Sequence, residues 1–205
     1  MPAERQRKAE VEAAPSGAAP RPPARDIREA EWIAAARDIL IEQGVEAVKI
    51  DRLARKLKVT RGGFYWRFES LANLLVALLE DWRKTNSVAI LGALEGAGTP
   101  HERFDALMRV WIEEDGYSAA YDTAVRAWGR VDPAVSKAVA EVDDERLAAF
   151  EKLFADAGCT PREALVRARV TYYHQVGYYA MGVEEPRKRR WELSATYRKI
   201  LTGWD

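Results

Sequence analysis

The ten residues Val59-Thr60-Arg61-Gly62-Gly63-Phe64-Tyr65-Trp66-Arg67-Phe68 gather the groups most suited to binding chemistry. A guanidinium, a hydroxyl and a phenol sit beside two adjacent glycines. Inside a helix each glycine costs about 1 kcal/mol relative to alanine, so a neighbouring pair needs a reason. Close approach supplies one, because backbone without side chains can lie against a bulky partner. Phe64 and Phe68 share one helical face, and Arg61 and Tyr65 share another. One side is an apolar anchor; the other offers a cation, a phenol and bare backbone.

The surroundings add charge. Between Lys49 and Arg67 stand Lys49, Arg52, Arg55, Lys56, Lys58, Arg61 and Arg67, with Asp51 as the single acid. Seven cations less one carboxylate leave +6 locally, in a chain of net charge +0. That local excess matches a phosphate-binding surface. The zero total excludes a uniformly basic nucleic-acid binder, so any such contact must be local.

The elements that position these groups can be read from periodicity. Gly44 ends a first helix, and Ile50 to Leu57 forms a short second one with Ile50, Leu53, Ala54 and Leu57 on one face. After the break Lys58-Val59-Thr60, Thr60 caps a third helix. Helix, tight turn and short helix make the helix-turn-helix plan.

At this point the residues resemble a known family. Gly44 through Leu75 is similar to the DNA-binding segment of TetR-family bacterial regulators, with Gly44, Ala54, Val59, Thr60, Arg61, Gly62, Phe64, Tyr65, Phe68 and Ser70 in register. The rest of the chain resembles the family only in its length and helical pattern. Three positions depart from the pattern: Lys58 replaces the usual turn Gly, Lys49 replaces the usual hydroxyl before the second helix, and Leu71 replaces a frequent Lys.

On this reading Lys49 and Lys58 touch phosphates as point charges. Thr60 offers its hydroxyl and the helix N-terminal amides to a phosphate, and Arg61 reaches either a base edge or a phosphate. Gly62 and Gly63 bring backbone to the groove, Tyr65 shares the contact face, and Trp66 either packs on sugar or covers the domain.

The resemblance implies an all-α fold of about nine helices. Residues 1–25 are expected to be a disordered, Ala/Pro/Arg-rich arm. Residues 26–70 would form the helix-turn-helix domain, and 71–205 a helical effector-binding and dimerisation domain. Asp26-Ile27-Arg28-Glu29 resembles a capping box starting helix one at Ile27, with Ile33, Ala36 and Leu40 inside. A long helix from Ser70 to about Leu94 links the halves. Gly96-Ala97-Gly98-Thr99-Pro100 is a break before the next helix, Pro133 starts a long one, Thr160-Pro161-Arg162-Glu163 starts another with Glu163 in capping-box register, and the last begins near Pro186.

In relatives the C-terminal helices enclose an apolar effector site; Met108, Trp111, Tyr121, Trp128, Tyr172 and His174 are the candidates here. By the same resemblance the last two helices pair with those of a second copy, using Tyr179, Leu193, Tyr197 and Trp204.

The expected function is a dimeric DNA-binding transcriptional regulator, a repressor released from a palindromic operator by a small apolar or aromatic effector. A non-specific architectural DNA-binding protein is the alternative. An enzyme is disfavoured, because the sequence carries no phosphate loop, no zinc-ligand spacing and no nucleophile signature; no metal or cofactor is expected. Cys159 is the one cysteine and cannot form an internal disulfide, and no apolar run approaches about 18 residues, so a cytoplasmic protein is expected.

Overall fold

The computed structural model describes residues 28–204. The expected arm at 1–25, the Asp26 cap and the Ile27 start lie outside the described residues.

Among the described residues there are nine α-helices and no strand. They are α1 (Glu29–Gln43), α2 (Ile50–Leu57), α3 (Arg61–Tyr65), α4 (Leu71–Glu95), α5 (Pro100–Glu113), α6 (Ala119–Gly129), α7 (Pro133–Asp156), α8 (Pro161–Ala180) and α9 (Arg187–Thr202). A single 3-10 turn, Val45–Ala47, joins α1 to α2.

The starts follow local chemistry. Ser70 Oγ accepts the Asn73 amide at 3.2 Å and opens α4. At α5, Thr99 Oγ1 accepts the Glu102 amide at 3.3 Å, while Glu102 returns the contact to the Thr99 amide at 2.8 Å. Backbone and hydroxyl donation from Thr99 holds the Glu102 carboxyl below its ordinary pKa. Asp132 caps α7 through the Ala134 amide at 2.9 Å. Thr160 caps α8, but Glu163 does not complete the expected box. Its carboxylate instead accepts from Arg167 one turn on, at 2.9 and 3.0 Å.

α1 differs from expectation at its centre. Trp32, Ala35, Ala36, Ile39 and Leu40 are buried, and Ile33 is only half-buried. Trp32 meets Phe64 edge to face at 5.4 Å, a geometry that aromatic quadrupoles favour.

Two apolar clusters share α4, which at 25 residues is roughly 37 Å long. The first joins α1, α2, Phe64 and Phe68 to Leu74, Leu78 and Trp82, and continues into Tyr121, Val125 and Trp128 of α6 and Val135 and Val142 of α7. The second packs Ile90 and Leu94 against Phe104, Leu107, Trp111, Phe150, Phe154 and Tyr172. Apolar packing therefore runs across the boundary placed after residue 70, and α6 joins the helix-turn-helix to the rest.

Between the clusters lies a buried ionic group. Asp122 on α6 accepts from Trp82 Nε1 at 3.2 Å, Arg126 Nε at 2.7 Å and Arg146 Nη1 at 3.2 Å. Arg126 also forks onto Asp143 at 2.6 and 2.9 Å. Tyr172 donates to Asp143 at 2.6 Å and accepts from both arginines. Arg146, only 1% exposed, reaches the Asn86 carbonyl at 3.0 Å. Burial alone would raise the Asp122 carboxyl, but Arg146 and Arg126 outweigh it and hold the group below the usual carboxylate range. Burial pushes the Tyr172 phenol up to about 12.

Asp122→Ala should destabilise the fold by about 3–5 kcal/mol, because it leaves Arg146 buried without its counter-ion; urea denaturation reads this directly. The Asp122 pKa is lower folded than unfolded. Its contribution is therefore present above the unfolded value of about 4 and is lost as pH falls through the folded one. Wild type should lose stability on acidification more steeply than the variant.

Candidate nucleic-acid interface

α3 is short because its two phenylalanines hold it. Phe64 is fully buried under Trp32, and Phe68 stacks on Phe64 at 5.6 Å. That anchor turns the opposite side outward. Thr60, Arg61, Gly62, Tyr65 and Trp66 are exposed, and Gly63 is half-buried. Trp66 is 88% exposed and Tyr65 54%. Leaving an indole in water forgoes roughly 1.5–3 kcal/mol of burial for a large apolar side chain. The fold does not use it.

Nor does the fold require the glycines. A Cβ on Gly62 would stand 3.6 Å from Thr60 Oγ1, and one on Gly63 would stand 3.9 Å from Val59. Both are ordinary contacts, and neither glycine has positive φ. Packing within the chain therefore leaves room for a side chain at both positions.

Thr60 occupies the N-cap of α3 in extended conformation but makes no capping hydrogen bond with its side chain. Its hydroxyl faces outward beside the first helical amides.

The charges divide into two sets. Lys56 turns back to Asp38 on α1 at 3.0 Å, and this hydrogen bond raises its ammonium pKa. Arg52 donates to Gln43 Oε1. Lys49 and Lys58 stay exposed, with no ion pair among the described residues. Arg61 pairs with Asp51 across the turn, Nε to Oδ1 at 3.2 Å and Nη1 to Oδ2 at 3.4 Å. Both partners are more than half exposed, so the pair contributes about 0–1 kcal/mol and chiefly orients the guanidinium. The lone acid in the basic stretch thus lies against the arginine of the contact face. Sequence spacing did not reveal this, because the two residues sit on different helices.

Residues 33–78 match the sequence model of the family described as bacterial regulatory proteins, tetR family. Over that segment the chain is similar to regulators of the TetR family. The HTH-type transcriptional regulators SrpR and TtgW of Pseudomonas putida are each 43% identical to it over 47 residues, 23% of this chain. The match spans 22% and 35% of those two proteins, between a fifth and about a third of their length. The crystal structure of a TetR-family transcriptional regulator from Streptomyces coelicolor superposes with a TM-score of 0.68 at 21% identity, covering 85% of this chain and 92% of that one. That likeness is one of fold.

The departures from the TetR pattern now have structures. Lys58 does not avoid the left-handed region; it sits at φ 57, ψ 41. This closes α2, with the Val59 amide reaching the Ala54 carbonyl at 2.9 Å. Lys49 holds the N-cap of α2 without a side-chain bond. Leu71 packs on the first apolar cluster instead of reaching outward.

The six residues expected to line an effector pocket separate into three places. Met108, Trp111 and His174 converge on one small cleft between α5, α8 and α9, with an interior of about 30 Å³. Trp128 lines an open groove of about 540 Å³ between α1 and α6, with Leu40, Ile41 and Val45. Tyr121 and Tyr172 line neither, because their hydroxyls are committed to other groups. Tyr121 donates to the Leu78 carbonyl at 2.7 Å and packs under Arg37, and Tyr172 belongs to the ionic group.

The dimer candidates also divide. Tyr179 turns inward, donating to the Trp111 carbonyl at 3.0 Å. Trp204 packs on His101, Phe104 and Phe154 within the chain. Tyr197 stacks on His174 at 5.1 Å, and Leu193 is half-buried. The exposed apolar side chains of α8 and α9 are instead Val166, Val170, Tyr173, Trp191 and Ile200. Val166, Val170 and Ile200 line a groove of about 500 Å³ rimmed by Arg162, Glu163 and Arg167. The signal was the i, i+4, i+7 stripe Val166, Val170, Tyr173, a second apolar face on a helix already assigned one.

Lys58→Gly should stabilise the fold by about 1 kcal/mol, since only glycine takes this conformation without penalty; a thermal melt gives the value. Gly63→Ala should likewise stabilise by about 1 kcal/mol through helix propensity, while weakening any duplex binding measured on the same sample.

Proposed function

We propose that this chain is a homodimeric transcriptional regulator that lays α3 in the major groove of double-stranded DNA. One observation carries the reading. The outward side of α3 holds an exposed indole, a phenol edge-on to Phe64, an oriented guanidinium and two glycines, and the fold itself requires neither the indole nor the glycines. Lys49, Lys58 and the Thr60 hydroxyl flank that side as phosphate partners. Arg61, held by Asp51, reads a base or holds a phosphate beside it.

One such helix reads too few base pairs to locate a site in a genome. Two copies related by a twofold axis would read a near-palindrome. Val166, Val170, Tyr173 and Ile200 supply the self-complementary apolar face, which fits pairing of α8 and α9 into a four-helix bundle. As a regulator the chain acts without catalysis, in the cytoplasm. It is a repressor released by a small apolar or aromatic effector that binds its two domain arrangements unequally.

Selection of bound duplexes from a random pool should return a near-palindrome preferred by about 10³-fold or more over random DNA. Uniform binding would point instead to an architectural protein. Arg61→Ala should either relax preference at one position by about 1–3 kcal/mol, or weaken all sequences with a shallower salt slope. Ile200→Glu should yield monomers in sedimentation; unchanged dimers would reject the α8–α9 face.

A further inference from the structure

Asp51 is the single acid in the basic stretch from Lys49 to Arg67, and it stands against the arginine of the contact face. It lies in the first turn of α2, where a carboxylate favours the helix N-terminus. That position does not account for its partner. Arg52 and Lys56 of the same helix turn back to α1, to Gln43 and Asp38. Asp51 instead reaches across the turn to α3, with Oδ1 3.2 Å from Arg61 Nε and Oδ2 accepting from Arg61 Nη1 at 3.4 Å. Both side chains remain more than half exposed.

A guanidinium carries its N–H donors in a rigid planar fork. With Nε and Nη1 turned to the carboxylate, Nη2 and the outer donor of Nη1 have no partner among the described residues. The Nη1–Nη2 edge presents a pair of parallel N–H groups, the arrangement that matches O6 and N7 of guanine in the major groove. Charge decides between base and phosphate. An unpaired arginine gains by releasing counterions at a phosphate. An arginine beside a carboxylate forms a pair of zero net charge, and the carboxylate itself repels phosphate. Such a pair keeps its hydrogen-bond geometry and gives up most of its long-range attraction. Lys49 and Lys58, exposed and without an ion pair among the described residues, are left for the phosphates.

We infer that Asp51 is a positioning residue for sequence recognition: it holds Arg61 to the edge of a guanine in each half-site and keeps it off the phosphates. The inference rests on the regulator reading above and names the base that reading leaves open. Asp51 lowers affinity for every duplex, because it sets a negative charge in a basic stretch. It lowers affinity least where guanine completes the fork. The result is a wider gap between right and wrong sequences.

The test uses the full chain, the duplex selected from a random pool, and the same duplex with each guanine of a half-site replaced in turn. Binding is read by fluorescence anisotropy at several salt concentrations. Wild type should lose about tenfold or more at one guanine. Asp51→Ala should bind random duplex about three- to tenfold more tightly, with a salt slope steeper by about one unit. It should discriminate at that guanine by less than about threefold. Asp51→Glu, which keeps the carboxylate, should retain most of the preference. Arg61→Ala should lose the same preference, and the double variant should lose no more of it than either alone. An acid that only stabilises α2 predicts a lower melting temperature for Asp51→Ala with the guanine preference intact, and that result overturns the inference. So does Arg61→Ala weakening all duplexes alike with a shallower slope. A preferred palindrome in which no guanine depends on Asp51 removes this inference and leaves the regulator reading standing. A pool that yields no preferred sequence removes both.

Discussion

A carboxylate taken out of water stays charged only if cations and donors meet it, and Asp122 is met by three helices at once. Trp82 comes from α4, Arg126 from its own α6, and Arg146 from α7, with Tyr172 of α8 closing the ring. Such a group adds little net stability compared with an apolar core of equal volume, but breaking it is expensive. Its effect is to fix which faces of these helices turn inward. The neighbouring residue, Tyr121, reaches the Leu78 carbonyl and Asp81, and Asp81 pairs with Arg37 of α1 at 3.0 Å. Through two adjacent residues α6 therefore ties α1 to the middle of the C-terminal helices.

This arrangement explains why the core holds no ligand-sized space at Tyr121 and Tyr172. Aromatic residues in a TetR-like C-terminal bundle suggest a pocket, yet here their hydroxyls are fully employed. Open space lies instead in the groove between α1 and α6 and along α8 and α9, where Leu201 and Thr202 are the buried residues of the last helix.

The contact face shows the opposite economy. Phe64, Phe68 and Trp32 hold the five residues of α3, and the Trp66 indole on its far side is left in solvent. Left-handed Lys58 is the local strain that keeps the turn tight where the family has glycine. A cation at that position adds charge beside the exposed side of α3 and gives up backbone ease.

Caps, breaks and periodicity were legible in the sequence because each involves residues within about one turn of each other. Pro133 and Thr160-Pro161 begin helices where those signals stand, α4 starts beside Ser70, and α3 carries its phenylalanines inward, while the break read at 96–100 already contains the cap and first residue of α5. Tertiary structure alone decided pairing and facing. Arg126 meets Tyr172 from 46 positions away, Arg61 finds Asp51 on another helix, and Tyr179 and Trp204 turn inward while Val166 and Ile200 stay exposed. Apolar and aromatic residues carry no label for core, pocket or interface. That choice is made by which distant residues pack against them, and a linear pattern does not encode it.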